Sequence, residues 1–134
     1  MSTGPRILSV DDSKTVRRML VRIFEPFHCT LSQAANGEEG LVVATSEKPD
    51  LIFLDYNMPV MDGLALMHRV HETDHEIPVI LLTGHGDISM AVSAMRQGAY
   101  DFIEKPYEAD LITDVVRRGT EKRALTLENR QLKN

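Results

Sequence analysis

The sequence predicts a three-layer α/β domain in which five parallel strands alternate with five helices. Three observations predict it. First, short apolar runs bounded by turn residues read as strands buried on both faces, and Leu51-Ile52-Phe53-Leu54-Asp55 is the clearest of them. Second, the stretches between these runs carry apolar residues three and four apart, the spacing of a helix with one buried face. Third, strand-like and helix-like stretches alternate without exception, which implies parallel strands joined by right-handed crossovers.

Taken in order, Arg6 to Val10 is the first strand. Asp12 or Ser13 starts the first helix, because either side chain can accept from the orphan N–H groups of a first turn. Val16, Met19, Leu20, Ile23, Phe24 and Phe27 form its apolar stripe, and Pro26 and His28 mark its end. A weaker strand spans Thr30 to Ala34. Asn36-Gly37-Glu38-Glu39 opens a second helix with Leu41, Val42 and Thr45 on its inner side. The Asp55 strand follows, between Pro49-Asp50 and Asn57-Met58-Pro59. Met61-Asp62-Gly63 leads into a third helix with Leu64, Met67 and Val70 facing inward. Pro78 to Leu82 is the fourth strand, ending at Thr83-Gly84. Asp87 caps a fourth helix that runs to Gln97 and stops at Gly98. Tyr100 to Ile103 is the fifth strand, followed by Glu104-Lys105-Pro106, and a last helix begins near Glu108. The helical methionines Met19, Met67 and Met95 are expected in the core.

For five such units the flavodoxin-like strand order 2-1-3-4-5 is expected. That order makes the first and third strands neighbours. Asp11 and Asp12 then meet Asp55 at one sheet edge, and Thr83 and Lys105 close the same edge from the other side.

Composition narrows the function. A chain of 134 residues is long enough for one domain with its own core. The single cysteine, Cys29, excludes an internal disulfide and fits a reducing compartment. No signal peptide and no membrane span are legible, so a cytoplasmic protein without membrane partners is expected. A net charge of −5 argues against a nucleic-acid surface, although basic residues dominate from Arg117 onward.

Three converging carboxylates repel one another, so the cluster either holds protons or binds a cation. Oxygen-only donors at a partly aqueous rim suit Mg²⁺. Lys105 adds a positive charge and Thr83 a hydroxyl. Together they suit a phosphoryl group, with Asp55 as the nucleophile that would form an acyl phosphate.

Val10-Asp11-Asp12-Ser13, the run from Leu54 to Gly63, Leu82-Thr83-Gly84 and Phe102-Ile103-Glu104-Lys105-Pro106 resemble the receiver domain of two-component response regulators. The resemblance covers about residues 5 to 120, giving a receiver over 1–120 and a helical linker over 121–134. It implies that Asp55 accepts phosphate from a sensor histidine kinase. It implies that Asp12, Asp55 and the backbone carbonyl of Asn57 hold Mg²⁺, with Asp11 acting through water. Thr83 and Lys105 would contact the phosphoryl oxygens, Phe102 would be the aromatic switch, and Lys105-Pro106 would be a cis peptide. His85, two residues after Thr83, would tune the lifetime of the acyl phosphate. The output face would be the fourth helix, fifth strand and fifth helix, and the protein would be a switch, with at most weak self-phosphorylation and self-dephosphorylation.

The stretches Gly84-His85-Gly86-Asp87-Ile88 and Ala99 to Tyr107 look like receivers of the nitrogen-regulation and dicarboxylate-transport type. Those precede an ATPase and a DNA-binding output domain. The beginning of the chain, Val10 to Arg18, resembles single-domain receivers equally well. A continuous helix from Glu108 to Lys133 would be about 39 Å long and should project beyond the domain. Leu111, Leu125 and Leu132 share a heptad position on it, which suggests a modest dimer helix; Arg118 interrupts this seam and Gly119 weakens it.

Two other chemistries share part of this residue set. A haloacid-dehalogenase-type phosphatase also uses an Asp nucleophile, Thr or Ser, Lys and Mg²⁺. Its second Asp usually lies two residues after the nucleophile, where this chain has Asn57. His71-Glu72-Thr73-Asp74-His75 matches the H-E-x-x-H zinc pattern, but it falls at the end of a helix and lacks a third ligand.

Overall fold

The computed structural model describes residues 4–56, 58, 62–84 and 86–132. Its elements run β1 (Arg6–Val10), α1 (Lys14–Phe24), β2 (Thr30–Ala34), α2 (Gly37–Glu47), β3 (Leu51–Asp55), α3 (Gly63–Thr73), β4 (Val79–Thr83), α4 (Ile88–Arg96), β5 (Asp101–Glu104) and α5 (Ala109–Leu132). The strands form one five-stranded sheet in the order β2-β1-β3-β4-β5, every neighbouring pair parallel. This is the flavodoxin-like arrangement that the alternation predicts.

The layers follow from the period of two along each strand. Leu8, Val10, Ile52, Leu54 and Leu81 point to one side and pack with Ala44 of α2, Leu66, Met67 and Val70 of α3 and Ala94 of α4. Ile7, Leu51, Phe53, Ile80 and Leu82 point to the other and pack with Leu20 and Phe24 of α1 and Ile112 and Val115 of α5. A strand covered on both faces must be apolar on both, which is why β3 and β4 are unbroken apolar runs.

Several expectations need correction. Gly37, Gly40 and Ala44 are the buried residues of α2 and Leu41 packs against the core as expected, while Val42 is 67% exposed and Thr45 faces solvent. The helix lies so close to β1 that a Cβ at Gly40 would stand 2.7 Å from Val10 Cγ2, so small residues mark the closest contact. α1 ends at Phe24, two residues before Pro26, and leaves Phe27 exposed beyond it. α4 ends at Arg96, with Gln97 as its cap, and Met95 is exposed, not core. Asp87 sits at the N-cap of α4 but makes no side-chain cap bond.

The largest correction concerns α5. It is one 24-residue helix, but it does not stand clear of the domain. Gly119 is buried against Leu51, whose Cδ1 would be 2.5 Å from a Cβ placed there. The glycine therefore lets the helix approach β3. Further on, Arg123 is 6% exposed and bonds Asp74 at 2.8 Å, with Asp50 at 3.8 Å. Arg130 reaches both Asp74 and Glu76, at 2.8 and 2.6 Å. Ion pairs with the α3–β4 connection thus hold the helix to the body as far as Arg130. Among the described residues no helix is long and apolar enough to cross a membrane.

Candidate functional site

The site lies at the C-terminal ends of β1 and β3, where the strand order reverses and a crevice opens. β1 delivers Asp11 and Asp12, and β3 ends in Asp55. Carboxylate oxygens of these three residues lie within 4.8 Å of one another, the one such gathering of potential metal ligands among the described residues. Asp11 is buried, Asp55 half-buried and Asp12 exposed, so the cluster grades from core to solvent.

Local structure fixes each acid. The Asp11 amide donates to Ala34 at 3.1 Å, so the β-ladder carries on into the residue that bears the carboxyl. The Asp11 carboxylate accepts from the Ser13 amide at 2.8 Å, and Arg17 donates to the Asp11 carbonyl. Ser13, not Asp12, caps α1 by accepting from the Val16 amide at 3.3 Å, which leaves the Asp12 side chain available to the cleft. Behind Asp55, the Tyr56 amide donates to Leu82 at 3.0 Å and the Gly63 amide to Tyr56 at 3.1 Å. Gly63 lies against the Asp55 carbonyl with no room for a side chain, so the start of α3 backs the end of β3.

The acids share an open cleft of about 210 Å³ with Ser13, Val16, Gly84, Lys105 and Tyr107. Lys105 is exposed on the cleft wall, and its peptide bond to Pro106 is cis. Thr83 is buried at the end of β4, and its hydroxyl donates to the Ile103 carbonyl at 3.4 Å, toward β5. Phe102 is half-buried and packs against the core on the side covered by α2, α3 and α4. Asn57 and His85 lie outside the described residues.

Electrostatics matches this geometry. Burial pushes the Asp11 carboxyl above its ordinary value; the Ser13 amide offsets this in part, Asp12 adds to it, and a hydrogen bond with Asp55 and the charge of Arg17 oppose it. Burial beside two other carboxylates disfavours the charged form of Asp11, and a cation among the three would favour it. Three oxygen donors, one buried and one solvent-facing, with no nitrogen or sulfur among them, fit a hard divalent cation that keeps some of its water.

Three contributors escaped the sequence reading. Tyr107 lines the acid cleft and its hydroxyl donates to the Thr83 carbonyl at 3.3 Å. Burial, then the charges of Asp55 and Asp11, push its phenol well above the usual range. Its place two residues after Lys105 was the available signal. Arg17 and Glu104 are the others; Glu104 accepts from the Gly86 amide at 2.7 Å and pins the β4–α4 connection. The histidines of the H-E-x-x-H pattern form no metal group: His71 donates to the Ile77 carbonyl at 3.0 Å, and His75 is exposed past the helix end.

Comparison with known proteins agrees with this fold. The family model described as the response regulator receiver domain matches residues 7–117. The C4-dicarboxylate transport transcriptional regulatory protein DctD of Rhizobium meliloti (strain 1021) is 41% identical over 133 residues, which are 99% of this chain and 29% of that protein. Sporulation initiation phosphotransferase F of Bacillus subtilis (strain 168) is 36% identical over 84% of this chain and 91% of its own length. Among solved structures, NtrX from Brucella abortus in complex with ADP superposes with a TM-score of 0.90 at 37% identity, covering 96% of this chain and 30% of that one. The chain thus spans less than a third of the DctD and NtrX proteins and nearly all of the sporulation protein.

Proposed function

This chain belongs to the response regulator receiver domains, and from that premise we propose that Asp55 accepts a phosphoryl group from a sensor histidine kinase. The observation that carries the reading is the gathering of Asp11, Asp12 and Asp55 within 4.8 Å in a cleft walled by Lys105.

A carboxylate oxygen of Asp55 attacks phosphorus in line. The bond from phosphorus to the donor, nitrogen in phosphohistidine or oxygen in acetyl phosphate, breaks as the acyl phosphate forms. Asp12, Asp55 and the backbone carbonyl of Asn57 would hold Mg²⁺, with Asp11 acting through water, and the ion supplies positive charge to the phosphoryl oxygens when bound. Lys105 pairs with another of those oxygens. The hydroxyl of Thr83 leaves its long bond to Ile103 for the new acceptor, and Phe102 repacks into the space beside it. His85 would tune how fast water reverses the modification. On this reading the chain is a switch, not an enzyme that turns over substrate, and the phosphatase alternative is not favoured by the family match.

The output surface in this reading is α4-β5-α5. Ile88, Val92 and Met95 form an exposed apolar stripe on α4, and Leu111, Leu125 and Leu132 stand exposed on α5. These support a homodimer through that face and the C-terminal helix. Residues 121–134 would be the linker toward an ATPase or DNA-binding output domain, as in a regulator longer than this chain. The domain would work in the cytoplasm and, with a net charge of −5, would not itself bind nucleic acid.

Incubation with acetyl phosphate and Mg²⁺, followed by intact-mass measurement, tests the reading. The parent should gain the mass of one phosphoryl group and Asp55→Asn should not. A gain that persists in Asp55→Asn refutes it. Beryllofluoride with Mg²⁺ should form a stable complex, with no turnover of phosphate esters.

A further inference from the structure

The cleft contains a hydroxyl that the chemistry above leaves unused. Tyr107 follows the Lys105–Pro106 peptide, and its ring walls both the acid cleft and a neighbouring apolar depression with Val16 and Met19. The phenol donates to the Thr83 carbonyl at 3.3 Å. The same carbonyl accepts from the Lys105 amide at 3.1 Å, so both of its lone pairs are engaged by the segment that follows β5.

The Thr83 hydroxyl is held differently. Its bond to Ile103 is 3.4 Å, well beyond the usual range for a hydroxyl donor. The Tyr107 bond, at 3.3 Å, is nearly as long, so the Thr83 main chain is held first by the Lys105 amide and the β4–β5 ladder, with the phenol as a second restraint on the same carbonyl; the hydroxyl above it can be re-aimed by rotation about one side-chain bond. If the main chain were loose, the same rotation would deliver the hydroxyl to a scatter of positions, and misplacement by an ångström is costly in group transfer. The phenol suits this role because a tyrosine hydroxyl is a donor at neutral pH and its ring is seated beside Val16 and Met19.

We propose that Tyr107 is a positioning residue for phosphoryl transfer: as the second donor to the Thr83 carbonyl, it narrows where the Thr83 hydroxyl meets the phosphoryl group on Asp55. The proposal rests on Asp55 being the acceptor. It assigns Tyr107 no direct contact with the phosphoryl oxygens, and that makes it separable from the obvious rival.

The test is a double-mutant cycle. The parent, Tyr107→Phe, Thr83→Ala and the double variant are each given acetyl phosphate and Mg²⁺, and the rate of phosphoryl gain is read by intact mass. Phenylalanine keeps the ring in its apolar seat and deletes only the hydroxyl. Loss of this one long hydrogen bond should slow Tyr107→Phe by about 2- to 4-fold. Thr83→Ala should be slower still, and adding Tyr107→Phe to it should change nothing further. Restoring the hydroxyl with Thr83→Ser should restore the sensitivity to Tyr107→Phe. Equal rates for Tyr107→Phe and the parent overturn the proposal. So does an undiminished slowing in the Thr83→Ala background, which would mean direct contact or general loosening of the fold. A parent that never gains phosphoryl mass removes the acceptor reading and this inference with it, whereas a phosphorylated parent with an indifferent Tyr107→Phe removes this inference alone.

Discussion

Replacing Asp74 by asparagine removes the carboxylate on which the C-terminal half of α5 is hung. Arg123 has 7% of its side chain exposed, and Asp74 is its near partner at 2.8 Å; Asp50, at 3.8 Å, is the other. Nε and Nη1 of Arg123 have no hydrogen-bond partner, so the guanidinium has nothing in reserve. Stranding a buried charge typically costs about 3–5 kcal/mol. Here the figure must come down, because the Asp74 side chain is 21% exposed and Asp50 still faces Arg123. We expect a loss of about 2–3 kcal/mol. For a 134-residue domain that lowers Tm by about 6–15 °C. The pH dependence has a definite sign. Burial opposes ionisation of Asp74, but hydrogen bonds from Arg130 and Arg123 outweigh it and hold the carboxyl well below the usual carboxylate range. The folded chain therefore binds this proton less readily than the unfolded chain. The stabilisation is complete above the ordinary Asp value near pH 4 and fades as the pH falls below it. Thermal unfolding of both chains between pH 3 and pH 8, a range of about five units chosen around that value, should show the gap full at neutrality and narrowing in acid. Asp74→Asn combined with Arg123→Met should recover most of the loss, since no stranded charge remains. An Asp74→Asn chain that melts within about 2 °C of the parent at neutral pH, less than 1 kcal/mol, would show the network to be a solvated surface feature.

The other predictions are briefer. Mg²⁺ at ten times its dissociation constant should stabilise the parent by about 1.4 kcal/mol, and Asp12→Ala should abolish that rise in Tm while costing little in metal-free buffer, because Asp12 is exposed. Chelation with EDTA should stop phosphorylation by acetyl phosphate without unfolding the chain, as read by activity and circular dichroism together. Gly119→Val should destabilise by about 2–3 kcal/mol in denaturant titration, since its side chain would be driven into Leu51.

The contrast between what the sequence disclosed and what it hid has one physical cause. The acid site was legible because strand ends are rigid and the period of two leaves no choice about where Asp55 must emerge once β3 is buried on both faces. Lys105 could be placed for the same reason, at the end of β5. Helix surfaces carry no such constraint. Val42 reads as core by type, yet Gly37, Gly40 and Ala44 face the sheet, because the helix-to-sheet distance, which no local pattern encodes, decides whether a large or a small residue fits. Gly119 misleads in the same way. By propensity it is a weak point in a helix; by packing it is the contact that seats α5 on β3.

Arg123 is the sharpest case, and it bears on how the switch would be wired. Among Arg117, Arg118, Lys122, Arg123 and Arg130 nothing local distinguishes the one that is buried. Arg117 and Arg118 pair with acids on the surface, and Lys122 stands 5.2 Å over the Tyr100 ring. Arg123 alone among them turns inward, because a carboxylate from the α3–β4 connection, 49 residues earlier, waits there. Contacts of that sequence separation are invisible to periodicity. Their consequence is mechanical: α5 starts beside the cleft, just after Tyr107, and is fastened at its far half to the opposite end of the sheet. A rearrangement at Thr83 and Lys105 therefore acts on a helix held at both ends, and the helix can respond by shifting on β3 and β5 more readily than by swinging free. Freeing the far end with Asp74→Asn should weaken the transmission of phosphorylation to residues beyond 120 while leaving the rate of phosphorylation unchanged. A fluorophore at Leu132, exposed and remote from the cleft, reads the first and intact mass the second. An unaltered fluorescence response in that variant would mean that the anchored half of the helix takes no part in the signal.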